Sequence, residues 1–432
     1  MTSFPASVEI RQLLTDPLRS VVVEAAGVTP CHLVGGAVRD RLALGRNASD
    51  WDLIVLEQGL DIARRLADAL EGRLVTLGRQ PLVAYRVVGG GRTIDIWDRR
   101  GKDLATELER RDLTINSIAI DLDGGAIEDP QGGLTDLQNR VLRANALERF
   151  EQDPLRVLRL LRLTLLLPAF DLEPGTESAA RAAAGALESV ARERIREELD
   201  KSLAIFPAPR LTEGLLRLDL FPRLWDRGSS SSSADSISLA AADQALTYFL
   251  SVDPLLDQSS RLIAFRHAVL LRAVARDPAK RIKRESALLD QLLRQQYVSR
   301  VTARQVNLLL SVDRLPVGEA EQRRFINRFG LAWPVAAALA VISAESPGGQ
   351  RHGLEELREV HRRWGAQLLD PPRLLSGADL ERDFGIEPGQ AMGRILRALQ
   401  QAQILGAIET SAQARTWLHD HLASLPAGSD ID

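Results

Sequence analysis

The 432-residue chain contains a single cysteine, Cys31. One thiol excludes a disulfide framework and any zinc or iron–sulfur site built from several thiolates. Aromatic residues are also scarce, at 4% of a chain that is 45% hydrophobic. A core rich in Leu and Ala but poor in rings favours helix over an all-β body. No apolar stretch approaches the roughly 18 residues that a membrane helix needs. The start, MTSFPASVEIRQLL, lacks a basic segment followed by an apolar one, so no secretory signal is read there. These absences lead us to expect a cytoplasmic protein with no membrane span. Lysine is rare as well: only Lys102, Lys201, Lys280 and Lys283 among 55 basic residues. The net charge of −3 excludes a globally basic nucleic-acid binder. It does not exclude a basic groove, because screening confines each charge to about 8–10 Å. The arginines that dominate suit forked contacts to phosphates and base edges.

What is present begins with length, about two to three times that of a single domain. Residues 1–145 mix strand-like and helical text. A helical start at Ser7–Glu24 leads to an apolar strand ending in Gly35-Gly36. A strand follows at Asp50–Leu56, then a helix at Leu60–Leu70. Three β-branched runs come next, at Arg73–Thr76, Leu82–Val88 and Thr93–Trp97. This pattern predicts an α+β head with a mixed sheet. Beyond Phe150 the apolar residues fall at helical spacing, as in Leu155–Leu167, Ala179–Phe206 and Leu262–Ala275. A helical neck over 146–227 is expected, then a Ser-rich linker over 228–237, then a helical body and tail over 238–432. The end, Pro426–Asp432, reads as frayed.

Two clusters carry chemistry. In Leu33-Val-Gly35-Gly36-Ala-Val-Arg39-Asp40 a strand runs into two glycines and a helix opens. Glycine lets a backbone approach a phosphate closely, and free amides at a helix start attract anions. The spacing is not the G-x-G-x-x-G of dinucleotide folds, and a double glycine at such a turn is often only a turn. Ten residues on, Asp50-Trp-Asp52 opens an apolar strand. Side chains at i and i+2 share one face, so two carboxylates stand side by side. Their repulsion is relieved by a divalent cation such as magnesium, which carboxylates and substrate phosphates hold together. A solvated strand end is the plainer explanation. Asp121 and Asp123 make the same pattern but run into Gly124-Gly125, which a hairpin turn explains.

Taken in order, these clusters, Arg110-Arg111-Asp112-Leu-Thr-Ile-Asn116, Asp129-Pro-Gln-Gly-Gly133-Leu-Thr-Asp136, Gln152-Asp153-Pro-Leu-Arg156 and Glu193-Arg-Ile-Arg-Glu-Glu-Leu199 resemble one family. It is the bacterial-type (class II) tRNA nucleotidyltransferases and poly(A) polymerases, built on a polymerase β-type head. The resemblance covers about residues 30–225. It implies template-independent addition of CMP, as CC or the full CCA, to the tRNA 3′ end from CTP and ATP, with pyrophosphate released. The resemblance assigns Asp50, Asp52 and Arg111 to catalysis, with Asp50 and Asp52 holding Mg2+. Gly35, Gly36, Arg39 and Arg111 would take the triphosphate, and Asp112 and Asn116 the sugar.

Asp153 and Arg156, expected as i, i+3 neighbours on a helix, are implied to read the base. A carboxylate beside a guanidinium complements the amino group and ring nitrogen that cytosine and adenine share. By spacing alone the two would be a surface ion pair. Arg159 and Arg162 continue that face as further nucleotide contacts. Gln152 stands where the family usually has Glu. Between Trp97 and Arg110 there is little room for the loop that full CCA-adding enzymes carry before the R-R-D stretch. That shortness points to CC addition, with adenosine left to a separate A-adding enzyme. Asp95 reads equally as a third carboxylate or as a strand Asp paired with Arg. A poly(A) polymerase and a non-catalytic RNA-binding relative are the alternatives. His419-Asp420-His421 reads as a solvated helix end. The arginine pairs Arg323-Arg324 and Arg362-Arg363 read as RNA contacts or as solvated helix faces.

Overall fold

The computed structural model describes residues 15–79, 82–99, 102–205, 210–225, 259–274, 281–342 and 350–422. The linker expected at 228–237, the tail at 426–432 and the first half of the helical start lie outside these. The chain divides into two compact units, Met1–Glu198 with Glu213–Leu220, and Leu199–Thr212 with Phe221–Asp432.

The first unit is built on a mixed sheet. Its strands are β1 (Cys31–Val34), β2 (Asp50–Val55), β3 (Arg73–Arg79), β4 (Leu82–Gly89), β5 (Arg92–Asp98), β6 (Ala119–Asp121) and β7 (Ile127–Glu128). They lie in the order β3-β4-β5-β2-β1-β6-β7. β2 and β5 pair in parallel, and β1 pairs antiparallel with both β2 and β6. The central strands bury one face of the sheet through Leu33, Leu53, Val55, Ile94 and Ile96, while β2 and β5 carry Asp50, Asp52 and Asp95 on the other. The expected α+β head is therefore present. Asp121 closes its hairpin, accepting from the backbone N–H of Asp123 (3.2 Å) and Gly124 (2.9 Å), as the Gly-Gly sequence predicted.

Local signals set the helix limits. Asp16 accepts from Leu18 N–H, and Pro17 opens the helix Pro17–Ala26, as an Asp-Pro pair does at a helix N-terminus. Leu155–Leu166 buries Leu155, Val157, Leu158, Leu160, Leu161, Leu163 and Leu165 and ends before Pro168, which disfavours helix in the residue preceding it. The run at helical spacing from Ala179 forms more than one helical segment. Pro174–Ala183 passes into a 3-10 segment, Ala184–Ser189. Val190 is extended, and a second helix begins at Arg192.

The second unit is helical. Its core holds ionic groups: Arg272 Nε donates to Glu285 (3.0 Å), and both are buried. Burial pushes His267 down to about 4, and its Nδ1 accepts from the Trp225 indole at 3.2 Å. Arg323 departs from both readings of its arginine pair. It is buried, with its guanidinium 3.9 Å from the Trp364 ring centroid, so stacking and not water surrounds it. His419 and Asp420 are solvent-exposed, as expected.

Candidate active site

β1 delivers the chain to Gly35 at φ +78°, ψ −139°, backbone that only glycine adopts readily. A Cβ there would lie 2.6 Å from both Arg111 Nη1 and Asp52 Oδ2. The turn is thus pressed against two side chains that arrive from elsewhere. Asp52 sits opposite Val34 in the β1–β2 register, with Asp50 two residues earlier on the same face. Arg111 Nη1 lies 3.3 Å from Asp52 Oδ2, and its guanidinium stands 6.0 Å from the Trp97 ring centroid. Asp50 is exposed and accepts from the Ser49 hydroxyl at 3.3 Å. Asp95 lies beside Asp52 in the parallel register. Arg86 grips it with Nε to Oδ1 at 2.7 Å and Nη2 to Oδ2 at 2.6 Å.

A second, buried cluster stands beneath the helix that starts at Gly36. Arg39 Nη1 donates to Asn116 Oδ1 (2.7 Å), and Asn116 Nδ2 donates to Asp112 Oδ1 (2.8 Å). The Leu113 N–H also donates to that oxygen (2.9 Å), and Arg159 Nη2 lies 3.3 Å from Oδ2. A Cβ on Gly36 would be 3.4 Å from Arg39 Nη2. Burial pushes the Asp112 carboxyl up, but Arg159, the Asn116 amide, Arg156 and the Leu113 N–H together hold it well below the usual carboxylate range. A carboxyl held down on folding contributes stability above its unfolded value, near 3.9, and loses it as pH falls further. The stability gap between wild type and Asp112→Asn is therefore expected to be full at pH 5–6 and to shrink below about pH 4. Urea unfolding across pH 3–6 measures it; a gap that stays constant over that range contradicts the assignment.

The base-reading pair is arranged differently from expectation. Asp153 lies in a break between the helices Arg149–Gln152 and Leu155–Leu166. Its backbone is extended (φ −139°, ψ 89°) because Pro154 follows. The two side chains do not meet. Asp153 pairs with Arg194 at 3.4 Å. Arg156 donates to the backbone carbonyls of Arg110 (2.9 Å) and Arg111 (3.2 Å), so it buttresses the turn that presents Arg111. Arg162 Nε donates to Glu198 (3.0 Å), and Gln152 accepts from Arg149 (3.0 Å).

Residues 31–143 match the Poly A polymerase head domain, and residues 169–224 match the probable RNA and SrmB-binding site of polymerase A. The A-adding tRNA nucleotidyltransferase of Deinococcus radiodurans is 30% identical over 419 residues, covering 89% of this chain and 94% of that protein. The CC-adding tRNA nucleotidyltransferase of Synechocystis is 28% identical over 420 residues, covering 94% and 97%. The chain belongs to the tRNA nucleotidyltransferase and poly(A) polymerase family. The crystal structure of the Bacillus stearothermophilus CCA-adding enzyme in complex with CTP shares the fold of this nucleotidyltransferase, with a TM-score of 0.64, 22% identity and coverage of 95% and 99% of the two chains.

Nucleotidyltransferases of this family depend on a metal, and the donor set here suits a hard one. Asp50 and Asp52 offer carboxylate oxygens on one face, and one 3.3 Å contact to Arg111 leaves Asp52 with spare lone pairs. Among the described residues, no group of three or more His, Cys, Asp and Glu gathers around a metal position. Two carboxylates would share the ion with substrate phosphates. Several supporting contacts of this nucleotidyltransferase escaped sequence reading. Asn145 Nδ2 donates to the carbonyls of Leu108 and Arg111 (3.1 Å each) and to Ser117 Oγ (2.6 Å). Asp136 is buried and accepts from the Thr114 hydroxyl (2.6 Å). Arg194 and Glu198 lie in the Glu193–Leu199 stretch that the resemblance singled out, but their partners sit 41 and 36 residues away. Asn145 carried no signal in the sequence.

Proposed function

We propose that this chain adds nucleotides without a template to the 3′ end of tRNA, transferring CMP from CTP and releasing pyrophosphate. One observation carries the reading: Asp52, with Asp50 on the same strand face, meets Arg111 at a glycine turn too tight for any side chain. Asp50 and Asp52 would hold Mg2+, which supplies charge neutralisation at the reacting oxygens when bound. Arg111, Arg39 and the amides after Gly35-Gly36 bind the triphosphate and orient its α-phosphorus for in-line attack by the RNA 3′-hydroxyl. Asp112, ionised, with its buried Oδ2 3.3 Å from Arg159 Nη2, would accept from a sugar hydroxyl once the nucleotide displaces that arginine. Asn116 fixes its orientation. Catalysis of this kind is positioning and electrostatics. Asp153 and Arg156 face cytosine once a base draws each from its present partner, with Arg159 and Arg162 behind them.

The head, residues 1–145, carries this chemistry. The neck over 146–227 supplies the base reader, and the helices of 238–432 hold tRNA through phosphates and shape in the cytoplasm. The product is CC. β5 ends at Asp98 and Asp103 caps the next helix, so residues 99–103 leave no room for a switching loop. A separate enzyme then adds adenosine.

The test uses three tRNA transcripts, ending at the discriminator base, at C and at CC, each with Mg2+ and labelled CTP or ATP. Extension should stop at CC, with no ATP incorporated. Adenosine added to the CC-ended transcript would replace the CC reading by CCA or A addition, and long A-tails by poly(A) synthesis. No incorporation on any transcript would leave an RNA-binding protein.

A further inference from the structure

One row of side chains crosses a single face of the sheet. Val34 on β1 opposes Asp52 on β2, Asp52 opposes Asp95 on β5, and Asp95 opposes Arg86 on β4. Neighbouring strands stand about 4.8 Å apart, so Asp95 is one strand from Asp52 and could reach a cation held there. It is also well enclosed, at 14% side-chain exposure. Both its oxygens are already taken. Arg86 Nε and Nη2 donate one bond to each, at 2.7 and 2.6 Å, the fork-to-fork geometry that is the strongest arginine–carboxylate contact. Asp52 differs: Arg111 touches one of its oxygens, at 3.3 Å, and among the described residues no donor reaches the other. Asp50 has a hydroxyl donor only at 3.3 Å.

We propose that Arg86 is a built-in counter-cation that removes Asp95 from the metal-ligand set, leaving divalent ions to Asp50, Asp52 and the incoming phosphates. This deepens the metal reading given above and rests on it. The physical reason lies in the charge count along the row. Three unpaired carboxylates on adjacent strands would bind a divalent cation before any nucleotide arrived. A guanidinium bonded to the third leaves the pair too weak to saturate alone, so metal affinity comes to depend on the triphosphate. The Asp50 and Asp52 charges act on the Arg86 guanidinium as well as Asp95 does, which places Arg86 within the field of the site. Arg86 is thus a positioning residue: it acts through Asp95 and touches no reacting atom.

The test is Mn2+ binding to the full-length, nucleotide-free protein, followed by electron paramagnetic resonance of the free ion. Arg86→Gln should tighten Mn2+ binding by about fivefold or more, because a released carboxylate at this spacing adds a full charge to the site. Asp95→Asn should weaken it by a similar factor, because it leaves the Arg86 charge uncompensated beside the site, and Arg86→Gln with Asp95→Asn should return to the wild-type value. The paired variant replaces the ion pair by two amides of similar shape, so it keeps the comparison valid if the single Arg86 change unfolds. Asp52→Asn is the control, expected to abolish binding. If Asp52→Asn binds Mn2+ normally, the metal reading itself fails. If that control behaves but the paired variant binds Mn2+ tenfold more weakly than wild type, or Arg86→Gln leaves binding unchanged, Asp95 is a ligand or a bystander and the role of Arg86 is overturned.

Discussion

Asp52→Asn is expected to lower nucleotide incorporation by at least about 10³-fold, the scale of losing a principal electrostatic contact in a transition state. The asparagine keeps the volume and one oxygen, so it keeps the packing against Gly35, whose would-be Cβ lies 2.6 Å from Asp52 Oδ2. What it removes is the charge. Phosphoryl transfer asks the protein to neutralise and align oxygens that carry negative charge, and little else. An amide in place of the carboxylate leaves Arg111, 3.3 Å away, without its anionic partner and leaves Asp50 to bind any divalent ion alone. The affinity for tRNA should stay within a few-fold, because the proposed phosphate contacts lie along the helical body and this change touches none of them. Single-turnover incorporation and anisotropy with labelled tRNA, at one fixed salt concentration, separate the two. Turnover near wild type would remove Asp52 from the chemistry. A parallel loss of tRNA binding would mean that the head, and not the helical part, grips the RNA.

Much of this was legible in the sequence, and the pattern of success has a physical cause. The head strands appeared because their buried residues form a short apolar run, as Leu53–Val55 does, or alternate with polar ones, as Ile94 and Ile96 do around Asp95. Asp50 and Asp52 were legible because strand periodicity alone puts them on one face. The Asp121 hairpin was legible because Gly124-Gly125 has a single good explanation. What failed to show were contacts set by tertiary packing. Asp153 and Arg156 are three residues apart, but their partners come from Arg194 and from the backbone at 110–111. Pro154, visible in the sequence, already argued against a continuous helix through Asp153. Arg323 looked like a surface arginine, and only the arrival of Trp364 from a different helix makes it a buried one. Asp95 stayed ambiguous because Arg86 is nine residues away, across a hairpin whose register no local pattern fixed.

The same reasoning predicts an unequal response at two adjacent glycines. Gly35→Ala is expected to cost at least about 100-fold in kcat/KM, the penalty for moving a positioned group by about 1 Å. Gly36→Ala should cost less than about tenfold. At Gly35 the backbone sits at φ +78° and ψ −139°, where a Cβ carries a penalty of about 1–3 kcal/mol before any contact is counted. The added carbon would also meet Arg111 Nη1 and Asp52 Oδ2 at 2.6 Å each. Relief requires either a changed turn, which withdraws the amides from the triphosphate, or displacement of both side chains from each other. Each route damages the arrangement that the Asp52–Arg111 contact defines. Gly36 stands inside the helix Gly36–Leu44, where alanine is a better helix former than glycine. Its added Cβ would meet only the end of the Arg39 side chain, at 3.4 Å, and Arg39 is held in place by Asn116 and Asp40. Steady-state kinetics with CTP, beside thermal unfolding of both variants, makes the comparison. A Gly35→Ala enzyme with near-normal kcat/KM would show that the turn is merely a turn, and the triphosphate would then have to be held by the arginines without it.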